Sequence, residues 1–124
     1  MNLEAAIRAF LIAGNTSAGN RVYEMVLPGT AQMPAITIQR ISNIGHPDIH
    51  VDFPRMQVSA WGQTPTQARE LADEIEELLY RYKGILNGIT IKQISKMPSP
   101  GVIHDRDAGL IHVPVDYQVK YVKE

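Results

Sequence analysis

The residues with the most chemistry to offer are histidines and carboxylates, gathered in two stretches. His46, Asp48, His50 and Asp52 alternate along one; His104-Asp105-Arg106-Asp107 crowd the other, with His112 close behind. Imidazole and carboxylate are ligands for a divalent transition metal. Alternation in an irregular loop does not fix a tetrahedron, however, and no helical His-Glu-x-x-His or Glu-x-x-His spacing supplies one. Solvated or partner-facing loops account better for these residues, and no metal site is expected.

Gly14 to Asn20 has the glycine spacing of a phosphate loop but lacks the Lys-Ser or Lys-Thr pair that holds phosphate and magnesium. Its context is also reversed, because it closes a helix and opens a strand, so it reads as a turn. No Gly-x-Ser-x-Gly elbow is present and no carboxylate pair stands in an obvious cleft. With no cysteine, thiol nucleophiles, disulfides and thiolate metal sites are excluded. The chain is expected to have no catalytic residue and no cofactor.

Those residues sit in a chain of 124, 44% hydrophobic and 20% charged, the composition of one globular domain over residues 1–124. Twelve basic residues against thirteen acidic ones leave a net charge of -1, too little positive field to grip phosphate or an anionic bilayer. The longest apolar stretch, Ala9 to Ala13, is far short of the ~20 residues of a membrane span. Met1-Asn2-Leu3-Glu4 has no basic n-region.

The positioning elements follow from periodicity. Leu3, Ala6, Ile7, Phe10 and Leu11 recur at helical spacing, with Gly14 as a stop that can take the left-handed conformation. Strands are expected from Arg21 to Leu27, from Ala35 to Ile41 and from Arg55 to Trp61, the last two with strict alternation. Thr64-Pro65-Thr66-Gln67 offers a capping hydroxyl, a first-turn proline and a glutamine to close a capping box. Ala68, Leu71, Ala72, Ile75, Leu78, Leu79 and Tyr82 then make one apolar stripe, finished by Arg81, Lys83 and Gly84. Glu70, Asp73, Glu74, Glu76 and Glu77 form its solvated back, which would repel phosphate if it faced DNA.

Asn87-Gly88 has hairpin chemistry, but it follows Gly84 so closely that it is read as redirecting the chain into a strand from Ile89 to Lys96. The last strand alternates Ile111, Val113, Val115, Tyr117, Val119 and Tyr121 against His112, Asp116, Gln118 and Lys120. Pro114 within it argues for an edge or a bulge. About thirteen residues of strand span roughly 43 Å, against a radius of gyration of about 14 Å, so the strand is expected to bend or project. The fold class is therefore α+β: a mostly antiparallel sheet of about five strands, a short N-terminal helix and a long central one, in the order α-β-β-β-α-β-β.

Two connections, Ser42 to Pro54 and Pro98 to Gly109, run to about a dozen residues, near the upper limit for structureless loops. Ile44, Ile49, Val51, Phe53, Val102 and Ile103 are apolar residues a free loop has little reason to carry. They either tuck onto the protein's own core or are covered by a partner. In the second case the interface comprises Ile44, His46, Asp48, His50, Asp52, Phe53, Val102, Ile103, His104 and Arg106. Charge reversal at Asp48 and Asp52 is then expected to spare folding and impair assembly.

Arg21-Val22-Tyr23, then Pro34-Ala35-Ile36-Thr37-Ile38-Gln39-Arg40-Ile41-Ser42, then Arg55-Met56-Gln57-Val58-Ser59-Ala60-Trp61 lead into Ala68-Arg69-Glu70-Leu71-Ala72. In their order and spacing, over about residues 3 to 83, these segments resemble the tail-completion or tail-terminator proteins of long-tailed bacteriophages. The resemblance implies a small α+β protein forming a six-fold ring on the head-proximal end of the tail tube. Such a ring stops tube growth and receives the head or neck. The implied partners are further copies of the chain, the tail tube protein and a head-completion protein, with DNA crossing the lumen unbound and no membrane involved. The implied place is the head-tail junction of a virion, assembled in the bacterial cytoplasm. A head-side neck or connector protein is the alternative, and a small metal-binding or ligand-binding α+β module is a third reading.

Overall fold

A computed structural model of the chain describes residues 2–42, 51–98, 101, 103–105 and 109–122. Helix α1 (Leu3–Ala13) is followed by β1 (Val22–Glu24), β2 (Ala35–Ser42), β3 (Val51–Asp52) and β4 (Arg55–Gly62). Helix α2 (Pro65–Leu79) comes next, then β5 (Gly84–Leu86), β6 (Ile89–Lys96), β7 (Ile103–Asp105) and β8 (Leu110–Val122). The expected order α-β-β-β-α-β-β is present, with the short strands β3, β5 and β7 added to it. The sheet runs β1-β2-β4-β8-β6-β5, with β3 and β7 also on β8. It is mixed because β1 pairs parallel to β2, while every other described pairing is antiparallel.

Both helices start as their sequences dictate. The Ala5 amide donates to the Asn2 side chain at 2.7 Å, and the Gln67 amide to the Thr64 hydroxyl at 3.1 Å. Gln67 Oε1 reaches back to the Gln63 amide at 2.8 Å, one residue outside the expected box. The helix ends differ from expectation. Gly14 closes α1 at φ -75° and it is Asn15 that takes the left-handed turn, at φ 54°. Gly14 lies against the Leu78 side chain of α2, whose end a Cβ at position 14 would have to displace. Helix α2 stops at Leu79 rather than near Gly84: Arg81 turns at φ 64° and gives its amide to the Ile94 carbonyl at 2.9 Å.

Alternation decides the layers. Ile36 and Ile38 of β2, Met56, Val58 and Ala60 of β4, Val115, Tyr117 and Val119 of β8, and Ile91 and Ile94 of β6 join one core with α1 and α2. The registers Ile38↔Val58, Val58↔Val115 and Ile94↔Val119 put these side chains on a single face. Leu71, Ile75 and Leu79 of α2 and Leu3, Ile7 and Leu11 of α1 are buried against it, each worth about 1.5–3 kcal/mol. Helix α2 crosses β4 and β8, while α1 touches β1 and β2 at one edge and β5 at the other. The sheet therefore curls until both open edges reach the first helix.

The longest strand overturns its expected place. β8 is the centre of the sheet, not an edge: β4 and β3 line one side, β6 and β7 the other. Its length is absorbed because each side is tiled by two strands. Strands β3 and β4 keep one register on β8, Asp52↔Tyr121 and Arg55↔Gln118, interrupted only at Pro54. Pro54 accepts from the Val119 amide at 3.0 Å but cannot donate in return. Since Val119 donates toward β4, the alternate residue Pro114 turns its missing donor the other way, into the gap between Lys96 and Ile103.

Asn87-Gly88 makes a true two-residue hairpin between β5 and β6, with φ of 48° and 84° and Leu86 opposite Ile89. A three-residue partner strand suffices because the early end of α2 frees the chain to turn back.

Candidate assembly surfaces

β8 is the ruler along which the expected interface residues fall. Val51 and Asp52 pair with Val122 and Tyr121 at its C-terminal end. Ile103, His104 and Asp105 pair with His112, Ile111 and Leu110 at its N-terminal end. The strand that ends the first connection thus pairs with the C-terminal end of β8 and the strand within the second with its N-terminal end, although the second connection leaves β6 at Lys96, opposite Tyr117. Neither is structureless, since each contributes a short strand to β8. Of the ten expected residues, Ile44, His46, Asp48, His50, Val102 and Arg106 lie outside the described residues, as does the side chain of His104. The expected tuck of Ile49 also falls outside them.

The described members have distinct roles. Asp52 is 3% exposed and accepts from the Tyr121 hydroxyl at 3.4 Å, so its reversal would not spare folding as expected. Running the β4 alternation backward through Pro54 and Met56 places Asp52 on the buried face, a signal hidden by the proline. Phe53 is half-buried, with the Lys120 ammonium 5.5 Å from its ring centre. Ile103 is exposed apolar surface. Val51 is half-buried in β3.

The face of the sheet away from the core carries a polar network that strand pairing assembles. Trp61 lies opposite His112 and beside Thr37's strand; its indole N–H donates to Thr37 Oγ1 at 2.9 Å. The His112 ring stacks on Trp61 with centroids 4.2 Å apart. Gln57 lies opposite Asp116. Arg55 Nε donates to Asp116 Oδ2 at 2.9 Å, its Nη2 joins the same oxygen, and Gln57 Nε2 reaches Oδ1 at 3.2 Å. This arrangement holds a buried carboxylate, 5% exposed, by charge-assisted bonds. No sequence spacing brings residues 55, 57 and 116 together; only the register does.

The acidic row of α2 is partly committed. Glu74 accepts from the Ser17 amide at 2.8 Å and from the Ser17 hydroxyl, so donors of the glycine-bearing turn are taken by protein. Glu76 pairs with Lys96. Glu70, Asp73 and Glu77 are exposed. Under the helix, Tyr117 is held neutral: burial pushes its phenol above the ordinary value, helped by Glu76 and Asp73. Among the described residues no group of three or more His, Asp or Glu is placed to hold a metal ion, and no helix is long and apolar enough to cross a membrane.

The described polar side chains are tied to one another across strands, and β3 and β7 stand at opposite ends of β8. The family model "Tail completion protein gp17" matches residues 5–121, and the chain belongs to that family of phage tail structural proteins. The match takes in the final third of the chain, β6 to β8, as well as the segments that carry the sequence resemblance. A chain of a solved structure, "Virion of native gene transfer agent (GTA) particle", has the same fold at TM-score 0.74 and 13% identity, covering 97% of this chain and 94% of that one. No curated protein matches the sequence.

Proposed function

We propose that the chain forms a closed ring at the head-proximal end of a phage tail tube. There it stops tube growth and gives the head or neck its docking surface, without catalysis. The observation that carries the reading is that the short strands within the two long connections, β3 and β7, pair with opposite ends of β8. One small domain thereby offers separate contact regions at two ends, as a subunit between a tube below and a neck above needs. Membership of the tail completion family supplies the context. A ring also needs a heterologous interface whose rotation closes. Near-neutral charge limits repulsion between packed copies, and exposed Glu70, Asp73 and Glu77 offer phosphate no grip.

Electron microscopy of particles made without this gene tests the proposal. Over-long tails without heads are expected. Tails of normal length left unjoined to heads would assign the chain to the head side instead, and intact particles would refute both.

A further inference from the structure

Helix α1 is apolar on almost every side. Its two charged residues both turn to the sheet: Glu4 accepts from Arg40 Nε at 2.8 Å, and Arg8 Nε donates to the Val22 carbonyl at 2.6 Å. What α1 leaves outward is Ala5, Ala9 and Ala13, none of them fully buried, while Ile12 packs partly against the core. A helix facing water carries polar residues on that side, as α2 does with Glu70, Asp73 and Glu77. Beside this bare face runs a shallow groove of about 220 Å³ between α1 and β5, lined by Ala6, Ala9, Phe10, Ala13, Ile85 and Leu86, with the polar Asn87 at its end. Ile85 on its rim is 68% exposed.

The opposite edge of the sheet carries a knob. Just past β1, Met25 and Val26 are 67% and 71% exposed. They are held there by backbone bonds, Met25 N–H to the Ile38 carbonyl at 2.7 Å and Val26 N–H to the Glu24 carbonyl at 2.9 Å. We propose that the Met25–Val26 knob of one copy seats in the α1–β5 groove of the next, and that this is the subunit contact of the ring. The inference rests on the ring reading above and names its interface.

Three features favour a second copy of this chain as occupant. Knob and groove are different patches on the two sheet edges that flank α1, so a copy that seats its knob in a neighbour's groove keeps its own groove free for a third copy. A void of about 150 Å³ accepts a benzene-sized group, so this groove has room for a Val or Met side chain. Exposed Glu24 precedes the knob and exposed Lys83 precedes β5, so the two edges also bring opposite charges together.

The absence of cysteine from the sequence makes the test direct. Val26→Cys and Ala13→Cys are introduced together, tails are assembled, and the oxidised sample is run on a non-reducing gel. A ladder of disulfide-linked multimers is expected, with neither single variant forming one. If the double variant caps tails at normal length yet stays monomeric on the gel, this contact is overturned while the ring reading stands. A disulfide-independent check is Val26→Asp. It should associate at least about tenfold more weakly while melting like the wild type, because Val26 is already exposed in the free chain. Wild-type-like assembly of Val26→Asp would overturn the contact. Wild-type chain never found as a multimer on tube ends would remove the ring and this interface together.

Discussion

Replacing Tyr117 by Phe should make the protein more stable, against the usual direction for a core substitution. Tyr117 is 1% exposed at the centre of the helix-facing side of β8, and its hydroxyl has no hydrogen-bond partner among the described residues. A buried hydroxyl left unpaired costs about 1–3 kcal/mol. Removing it while keeping the ring should return about 1–2 kcal/mol, which in a domain of this size raises the melting temperature by about 3–10 °C. The pH dependence gives a second, independent readout. Burial, then the charges of Glu76 and Asp73, push the phenol above its ordinary 10.0. Below pH 10 both folded and unfolded chains keep the proton and the group adds no slope. Above it the unfolded chain releases the proton while the folded chain retains it, so stability falls as pH rises, by up to about 1.4 kcal/mol per pH unit. Urea unfolding of both proteins at pH 7 and between pH 10 and 11 measures the two effects. The Phe variant should be the more stable at neutral pH, and its excess should grow at alkaline pH. A variant that loses more than about 1 kcal/mol at pH 7, or tracks the wild type at every pH, would show that the hydroxyl is satisfied and the reasoning wrong.

Ile75→Asp should abolish soluble folding, because it puts an unpaired charge at a position 1% exposed on the buried side of α2; soluble protein that melts like the wild type would refute that placement. Asp116→Ala should cost about 2–4 kcal/mol by urea titration, since it strands Arg55 and Gln57 on the outer sheet face. A loss under about 0.5 kcal/mol would mean that network carries no stability. Asp52→Lys should lower the melting temperature of the isolated chain by more than 10 °C, from a burial cost of about 3 kcal/mol or more; an unchanged melting temperature would return Asp52 to the exposed surface.

Much of the fold is legible because its signals are local. The stripe of α2, the Thr64 cap and the alternation of β2, β4, β6 and β8 each depend on residues a few positions apart, where helical and extended periodicities differ plainly. The misreadings share the opposite cause. Pro114 argues for an edge only if its missing donor would otherwise meet a partner, and that depends on where β6 ends and β7 begins. The three residues before Asn87-Gly88 make it read as a mere redirection of the chain, while the hairpin is permitted by Arg81 turning early against Ile94. Gly14 serves a close approach to Leu78, 64 positions away in the chain, rather than a left-handed turn.

The candidate surfaces divide the same way. Local sequence marks which stretches are long and oddly apolar, so the connections after β2 and β6 stand out unaided. It does not tell that they give short strands to opposite ends of β8, that Asp52 is buried beside Tyr121, or that Arg55, Gln57 and Asp116 form one cluster. Nor does the alternation of α1 reveal that both its charges are taken by the sheet, leaving its outer side bare. By itself the sequence determines both helices, the long strands and most core-facing residues, because these rest on periodicity and capping chemistry, and it points to the family through the order and spacing of its segments. Tertiary structure alone decides which edges stay open, which polar groups are already satisfied and where knob and groove face outward, because strand order and register are set by contacts across the whole chain.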